Sequence, residues 1–303
     1  ICHCLVGSEM CIRDRNTSNL ILDAFFKWNA FGNFEIWLGQ TKLPGNRERV
    51  ISSQQLQFVD RSLVNSRFNI DRDMGIQFHN KKRLGSVVTK QAFAISQGEG
   101  RNRTSGNYGG LEYTGRVEVL PFGEFTGKGD YFGSDLKREA TPKLSIGATY
   151  DYNDRAARER GNLGSYVADT AYSSLNTTFV DLMFKYNGLS VAAEYANKQI
   201  NGDRLVDAED NFISNYYTGS GTAVQAGYLL PSNLEFAARY TTIAPEKASG
   251  RDLQDMYTIG VSKYIVGHYL KIQSDFSYLV ETDQFTDEEA GEFIYRFQVE
   301  LAF

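Results

Sequence analysis

Residues 42 to 72 carry an unusual excess of cations: Lys42, Arg47, Arg49, Arg61, Arg67 and Arg72, against Glu48, Asp60 and Asp71. A guanidinium presents a planar fork of donors that fits the oxygens of phosphate or carboxylate, whereas an ammonium acts as a point charge. The chemistry such a set can perform is electrostatic: it lowers the barrier for anions. Two local patterns point to a different use. Arg61 follows Asp60, and Arg72 sits between Asp71 and Asp73, so some of these cations can brace the segment by pairing with carboxylates.

Covalent chemistry has little to draw on. After residue 15 the only histidines are His79 and His268, far apart in the chain, and no Ser-His-Asp pattern accompanies them. Cys2, Cys4 and Cys11 all lie in the first fifteen residues, with spacing unlike that of structural zinc sites. Gly98-Glu99-Gly100 is followed by no helical pattern, so it is no phosphate cradle. The acidic runs Asp207–Asp210 and Asp283–Glu289 read as solvated loops rather than calcium sites. No enzyme activity, metal or cofactor is expected.

What must position the cations is a set of strands. Apolar and polar residues alternate in thirteen segments: 20–29, 34–40, 70–79, 87–97, 111–120, 143–152, 178–186, 189–198, 222–230, 234–242, 257–264, 269–278 and 293–303. Successive side chains of a strand point to opposite faces, so each segment has one apolar face. In the last one it is Phe293, Tyr295, Phe297, Val299, Leu301 and Phe303. The opposite faces carry Lys27, Arg116, Lys185, Lys198, Arg239, Lys271 and Arg296, balanced by Asp23, Glu35, Glu118, Asp181, Glu194, Glu235, Asp275 and Glu300.

The segments run roughly 8–11 residues, close to the 9–11 that cross a bilayer at a tilt. Tight turns are expected near 31–33, 80–85, 187–188, 231–233 and 266–268. Long polar loops are expected near 42–71, 98–107, 153–176, 200–221, 243–255 and 279–291. Short and long alternate, except that 121–142 is long where a short turn is due. That asymmetry and the apolar faces predict an all-β, transmembrane antiparallel β-barrel, with short turns periplasmic and long loops external. Mean hydropathy of −0.38 and the lack of long apolar runs argue against membrane helices. A net charge of −5 argues against nucleic acid as a partner. A soluble β-rich binding protein is a further alternative, which partitioning into detergent, or the lack of it, decides.

The barrel reading has consequences for the ends. The aromatic terminus Phe303 resembles the C-terminal signature by which outer-membrane barrels are recognised for assembly. Residues 1–15 lack the alternation, and Leu5–Arg15 resembles the translation of a sequencing adapter, so this segment is expected to be non-native. Residues 16–303 then form a single barrel domain. Thirteen is odd and single-chain bacterial barrels have even strand numbers, so an N-terminal truncation with loss of the signal peptide is expected.

Several motifs, in order, resemble the phosphate-selective porin O and P family. They are Leu38-Gly39-Gln40-Thr41-Lys42-Leu43-Pro44, Arg47-Glu48-Arg49, Leu56-Gln57-Phe58-Val59-Asp60-Arg61-Ser62-Leu63, Asp71-Arg72-Asp73-Met74-Gly75, Arg116 to Gly123 and Gly129-Asp130-Tyr131-Phe132. The resemblance implies a sixteen-stranded barrel, usually trimeric, whose third external loop folds into the pore as a constriction. Here that loop would be 42–72, with Arg47, Arg49 and Arg61 bordering the opening and Lys42, Arg67 and Arg72 nearby. The function implied is passive diffusion of small hydrophilic solutes, with an anion or phosphate bias, in an outer membrane reached through the barrel-assembly machinery. Its partners would be outer-membrane lipid, the solutes themselves and two further copies in a homotrimer. The alternative is a plugged barrel with a structural or adhesive role, which conductance separates from a channel.

Overall fold

Alternation alone accounts for most of the architecture. The computed structural model describes residues 21–103, 108–167, 172–201 and 216–302. Residues 1–15 and Phe303 therefore lie outside the described residues, as does Asp207–Asp210. Thirteen antiparallel strands form one sheet in strict chain order. They are β1 (Ala24–Phe31), β2 (Phe34–Lys42), β3 (Arg72–Leu84), β4 (Val87–Ser96), β5 (Glu112–Leu120), β6 (Lys143–Asn153) and β7 (Ser174–Tyr186). The sheet continues with β8 (Leu189–Asn201), β9 (Gly219–Leu229), β10 (Leu234–Pro245), β11 (Leu253–Val266), β12 (Leu270–Thr282) and β13 (Glu289–Leu301). β1 and β13 stand at the two ends of this order.

The two faces are used in reverse of a water-soluble sandwich. On β12 the polar residues Lys271, Gln273, Asp275 and Ser277 are buried, while Ile272, Phe276 and Tyr278 are exposed. On β11 Thr258 and Ser262 are buried and Ile259 is 64% exposed. Such a contiguous apolar exterior is stable only against another apolar phase, which for a sheet of this length is a bilayer. Cross-strand register gathers aromatic rings into a row: Tyr240 faces Tyr257, Tyr257 faces Tyr278, and Tyr278 faces Phe293. The first and last of these pairs have ring centroids 5.0 and 4.7 Å apart. Aromatic side chains with a polar edge suit the interfacial level of a membrane. Among the described residues no helix is long and apolar enough to cross one.

Turn chemistry fixes the register. At Asn187-Gly188 both residues have positive φ, 48° and 89°, as a two-residue hairpin of the right twist requires. One expected turn is shorter than its sequence suggests. Residues 80–84 continue β3, pairing Lys81 with Lys90 and Lys82 with Thr89, and the reversal is confined to Gly85-Ser86. Alternation is lost there because both faces are polar; Lys81 and Arg83 are satisfied instead by Glu124, at 2.9 and 2.7 Å.

Candidate pore constriction

Residues 43–71, between β2 and β3, turn inward. Two short helices form in this loop, α1 (Arg47–Val50) and α2 (Leu63–Phe68), the second capped by Ser62 Oγ accepting from the Asn65 amide at 3.3 Å. α2 exists because it has a surface to lie on. Val64 and Phe68 join Leu43 and Ile70 in a buried cluster with Phe179, Ala196, Ala223 and Ile243 of the strand wall. Burying a side chain such as Phe68 contributes about 1.5–3 kcal/mol.

Polar contacts then carry the loop across the interior. The Arg47 guanidinium bonds Asp181 Oδ1 on β7 at 2.6 Å and Ser145 Oγ on β6 at 2.9 Å. The Asn46 amide donates to Glu194 on β8 at 2.9 Å, and Gln57 donates to Glu235 on β10 at 2.8 Å. Asp275 on β12 accepts from the Val59 amide at 3.0 Å, and Lys271 donates to the Leu56 carbonyl at 3.1 Å. A loop that bonds β6, β7, β8, β10 and β12 must lie inside the curve of the sheet. The space between it and the wall beside Arg47, Glu48, Asp181, Glu194 and Arg239 is a cavity of about 40 Å³. That admits a few waters and no hydrated solute.

The six cations fall into three settings. Arg47 is 2% exposed and enclosed by acids; Glu118 lies 3.6 Å away beyond Asp181. Burial would weaken its proton affinity, but Asp181 and Glu118 outweigh that and raise it. Arg67 bonds the Gln254 side chain at 3.2 Å, at the edge of α2. The other four crowd together. Arg49 pairs with Asp71 through two bonds of 2.7 and 2.5 Å, and Arg72 pairs with Asp23 at 2.8 Å. Lys42 Nζ and Arg61 Nη2 both donate to the carbonyl of Ile51, at 3.4 and 2.8 Å. Among the described residues neither Lys42 nor Arg61 forms an ion pair. Burial, then the like charge of Arg49, lowers the pKa of Arg61. Asp71 moves down as well: burial pushes it up, but Arg49 and Arg72 prevail.

The cations of the strands are mostly structural. Arg116 bridges Asp181 and Glu118, at 2.6 and 2.8 Å. Lys185 and Lys198 donate to the carbonyls of Ser134 and Arg160, each at 2.7 Å. Arg239 donates to the Asp60 carbonyl at 2.9 Å and lies over the Phe58 ring, joining Lys271 in holding the loop. Lys27 pairs with Glu35 at 2.8 Å, both partly exposed, and Arg296, partly exposed on the last strand, pairs with the buried Asp275 at 3.3 Å. Sequence reasoning noted 121–142 only as an over-long connection and gave no role to Asn46 or Gln57. A signal existed: Val88, Leu120, Phe179 and Met183 are apolar residues on the inner, otherwise polar face, and each is buried by something inside.

A membrane β-barrel wall with an infolded, cation-rich loop is the architecture of a porin. The chain belongs to the phosphate-selective porin O and P family, whose model matches residues 12–299. It is 26% identical over 266 residues to an uncharacterized protein of Aquifex aeolicus (strain VF5), covering 82% of this chain and 60% of that protein's length. Among solved structures it is similar to the anion-selective porin from Comamonas acidovorans, with a TM-score of 0.50, 13% identity, and coverage of 94% of this chain and 79% of that one. It also aligns with OmpT, an outer membrane protein of Vibrio cholerae, at a TM-score of 0.48 and 12% identity, covering 92% of this chain and 78% of that one.

Proposed function

We propose that this protein is a passive diffusion channel for small hydrophilic solutes in a bacterial outer membrane, with a preference for anions. Family membership and the exposed apolar wall support a channel rather than an enzyme. The anion preference rests on one observation. Among the described residues Lys42 and Arg61 converge on a single carbonyl oxygen and neither is in an ion pair, with Arg49 and Arg72, each paired to a carboxylate, close by. Two cations so placed repel each other, and an anion arriving between them relieves that repulsion. Arg47, by contrast, serves as the fastening of the loop.

On this reading residues 16–303 form one barrel domain, surrounded by outer-membrane lipid. A homotrimer is the expected state, consistent with the family. Reversal potentials of the full chain in planar bilayers test the proposal; a cation-selective current refutes the anion preference. The second reading, a plugged barrel with a structural or adhesive role, draws on the small cavity beside Arg47. Absence of any conductance favours it.

A further inference from the structure

The connection from β5 to β6 occupies 22 residues, 121–142, at the end of the sheet where the other connections are two to four residues long. It does not hang free. Phe125 is buried in a cluster with Ile51 and Leu56 of the infolded loop and Val88, Leu120 and Met183 of the wall, with Tyr131 packed against them. A hydrophobic core thus lies inside the barrel, built jointly by two segments that enter from opposite ends.

Polar bonds repeat the pattern. The Gly133 amide donates to the Gln55 carbonyl at 2.8 Å, and Arg47 donates to the Asp130 carbonyl at 3.1 Å. Tyr131 donates its hydroxyl to Glu118 at 2.5 Å and faces the Arg47 guanidinium. The Asp130 carboxylate binds Lys90 on β4. Further along, the segment is stapled to neighbouring turns. Arg138 donates to the carbonyls of Leu229 and Leu230, at 3.0 and 2.6 Å. Asp135 accepts from the Gly188 amide at 2.8 Å, and the Glu139 carbonyl accepts from the Asn187 amide at 2.9 Å. Gly123, Gly127 and Lys128, with positive φ, supply the sharp reversals that fold the chain back.

We propose that residues 121–142 are a second constriction, which meets the loop 43–71 inside the barrel so that the two together set the aperture. The inference rests on the channel reading and deepens it by dividing the labour. The basic cluster around Lys42 and Arg61 sets the sign of the preferred ion, while the 121–142 segment limits the width. Its acids are committed: Glu124 to Lys81 and Arg83, Asp130 to Lys90, and Asp135 and Glu139 to backbone amides. Its removal therefore widens the path without turning the channel cation-selective.

The test is single-channel conductance of the full chain in planar bilayers, in 1 M potassium chloride. One variant replaces residues 124–140 by a four-residue Gly/Ser turn; another carries Asp135→Asn with Arg138→Gln and leaves the buried cluster intact. The first is expected to conduct at least twofold more than the native chain and to pass larger poly(ethylene glycol) probes, with the sign of the reversal potential unchanged. The second is expected to flicker between the native level and the higher one, and it decides the matter if the shortened chain fails to insert. Conductance unchanged in both, with the native chain conducting, overturns the proposal alone. A silent native chain with a conducting shortened variant identifies the segment as a plug and overturns the width-limiting role together with the open-channel reading. Silence in all three overturns the channel reading together with it.

Discussion

Replacing Arg61 by Gln removes one of two cations that share the Ile51 carbonyl and, among the described residues, form no ion pair. Its partners there are backbone oxygens, of Glu48 at 3.1 Å and Ile51 at 2.8 Å, so no buried carboxylate is left uncompensated. The loop should persist, because its fastening lies elsewhere. The electrical effect is larger. A unit charge about 4 Å from a passing ion is worth about 1 kcal/mol even in bulk water, and more where the pore narrows. That is about fivefold in the rate of an anion, and about fivefold in the opposite sense for a cation. The assay is the reversal potential across a potassium chloride gradient at about 0.1 M salt, where the screening length is about 10 Å. Arg47→Gln is the contrast. It leaves Asp181 and Glu118 short of a partner and should cost about 3–5 kcal/mol, seen as a loosened loop and noisy current rather than altered selectivity. If Arg61→Gln leaves the reversal potential unmoved while Arg47→Gln shifts it, the division between a free and a fastening cation is refuted.

Other outcomes follow from the same geometry. Ile259→Arg, on the exposed face of β11, should cost about 2–4 kcal/mol or block insertion, whereas Ile259→Leu should be neutral; heat-modifiability on gels reads both. Phe68→Ala empties the centre of the cluster beneath α2 and should destabilise the loop by about 3–5 kcal/mol, measured by proteolysis of the folded protein. Because the pKa of Asp71 is lowered in the fold, its pairing with Arg49 stabilises the loop above the unfolded value of about 3.9 and is lost as pH falls below it. Current noise should therefore rise in strong acid and not between pH 5 and 7, and Asp71→Asn should show that noise at neutral pH.

The strands were legible because a membrane wall imposes one rule on every residue: apolar outside, polar inside. Segments such as 234–242 and 269–278, which follow it at most positions, largely coincide with parts of β10 and β12. Where the rule lapses the boundaries shift. The run Asn80–Arg83, polar on both faces, reads as a turn and is a strand. The site was legible in composition and not in geometry. Nothing in the spacing of Arg47 and Arg49 distinguishes them, because their partners, Asp181 and Asp71, are selected by the path of the loop through space. The second infolded segment left a trace as an over-long connection at 121–142. The apolar residues facing inward at Leu120 and Met183 were its counterpart, recognisable only once the two are known to touch.

The central claim is tested most directly by the current–voltage relation of the unaltered full chain across a tenfold potassium chloride gradient. Discrete conductance steps, with a reversal potential of the sign set by chloride permeation, are the predicted result. A reversal potential of the opposite sign, or a membrane that stays silent with the protein inserted, contradicts it.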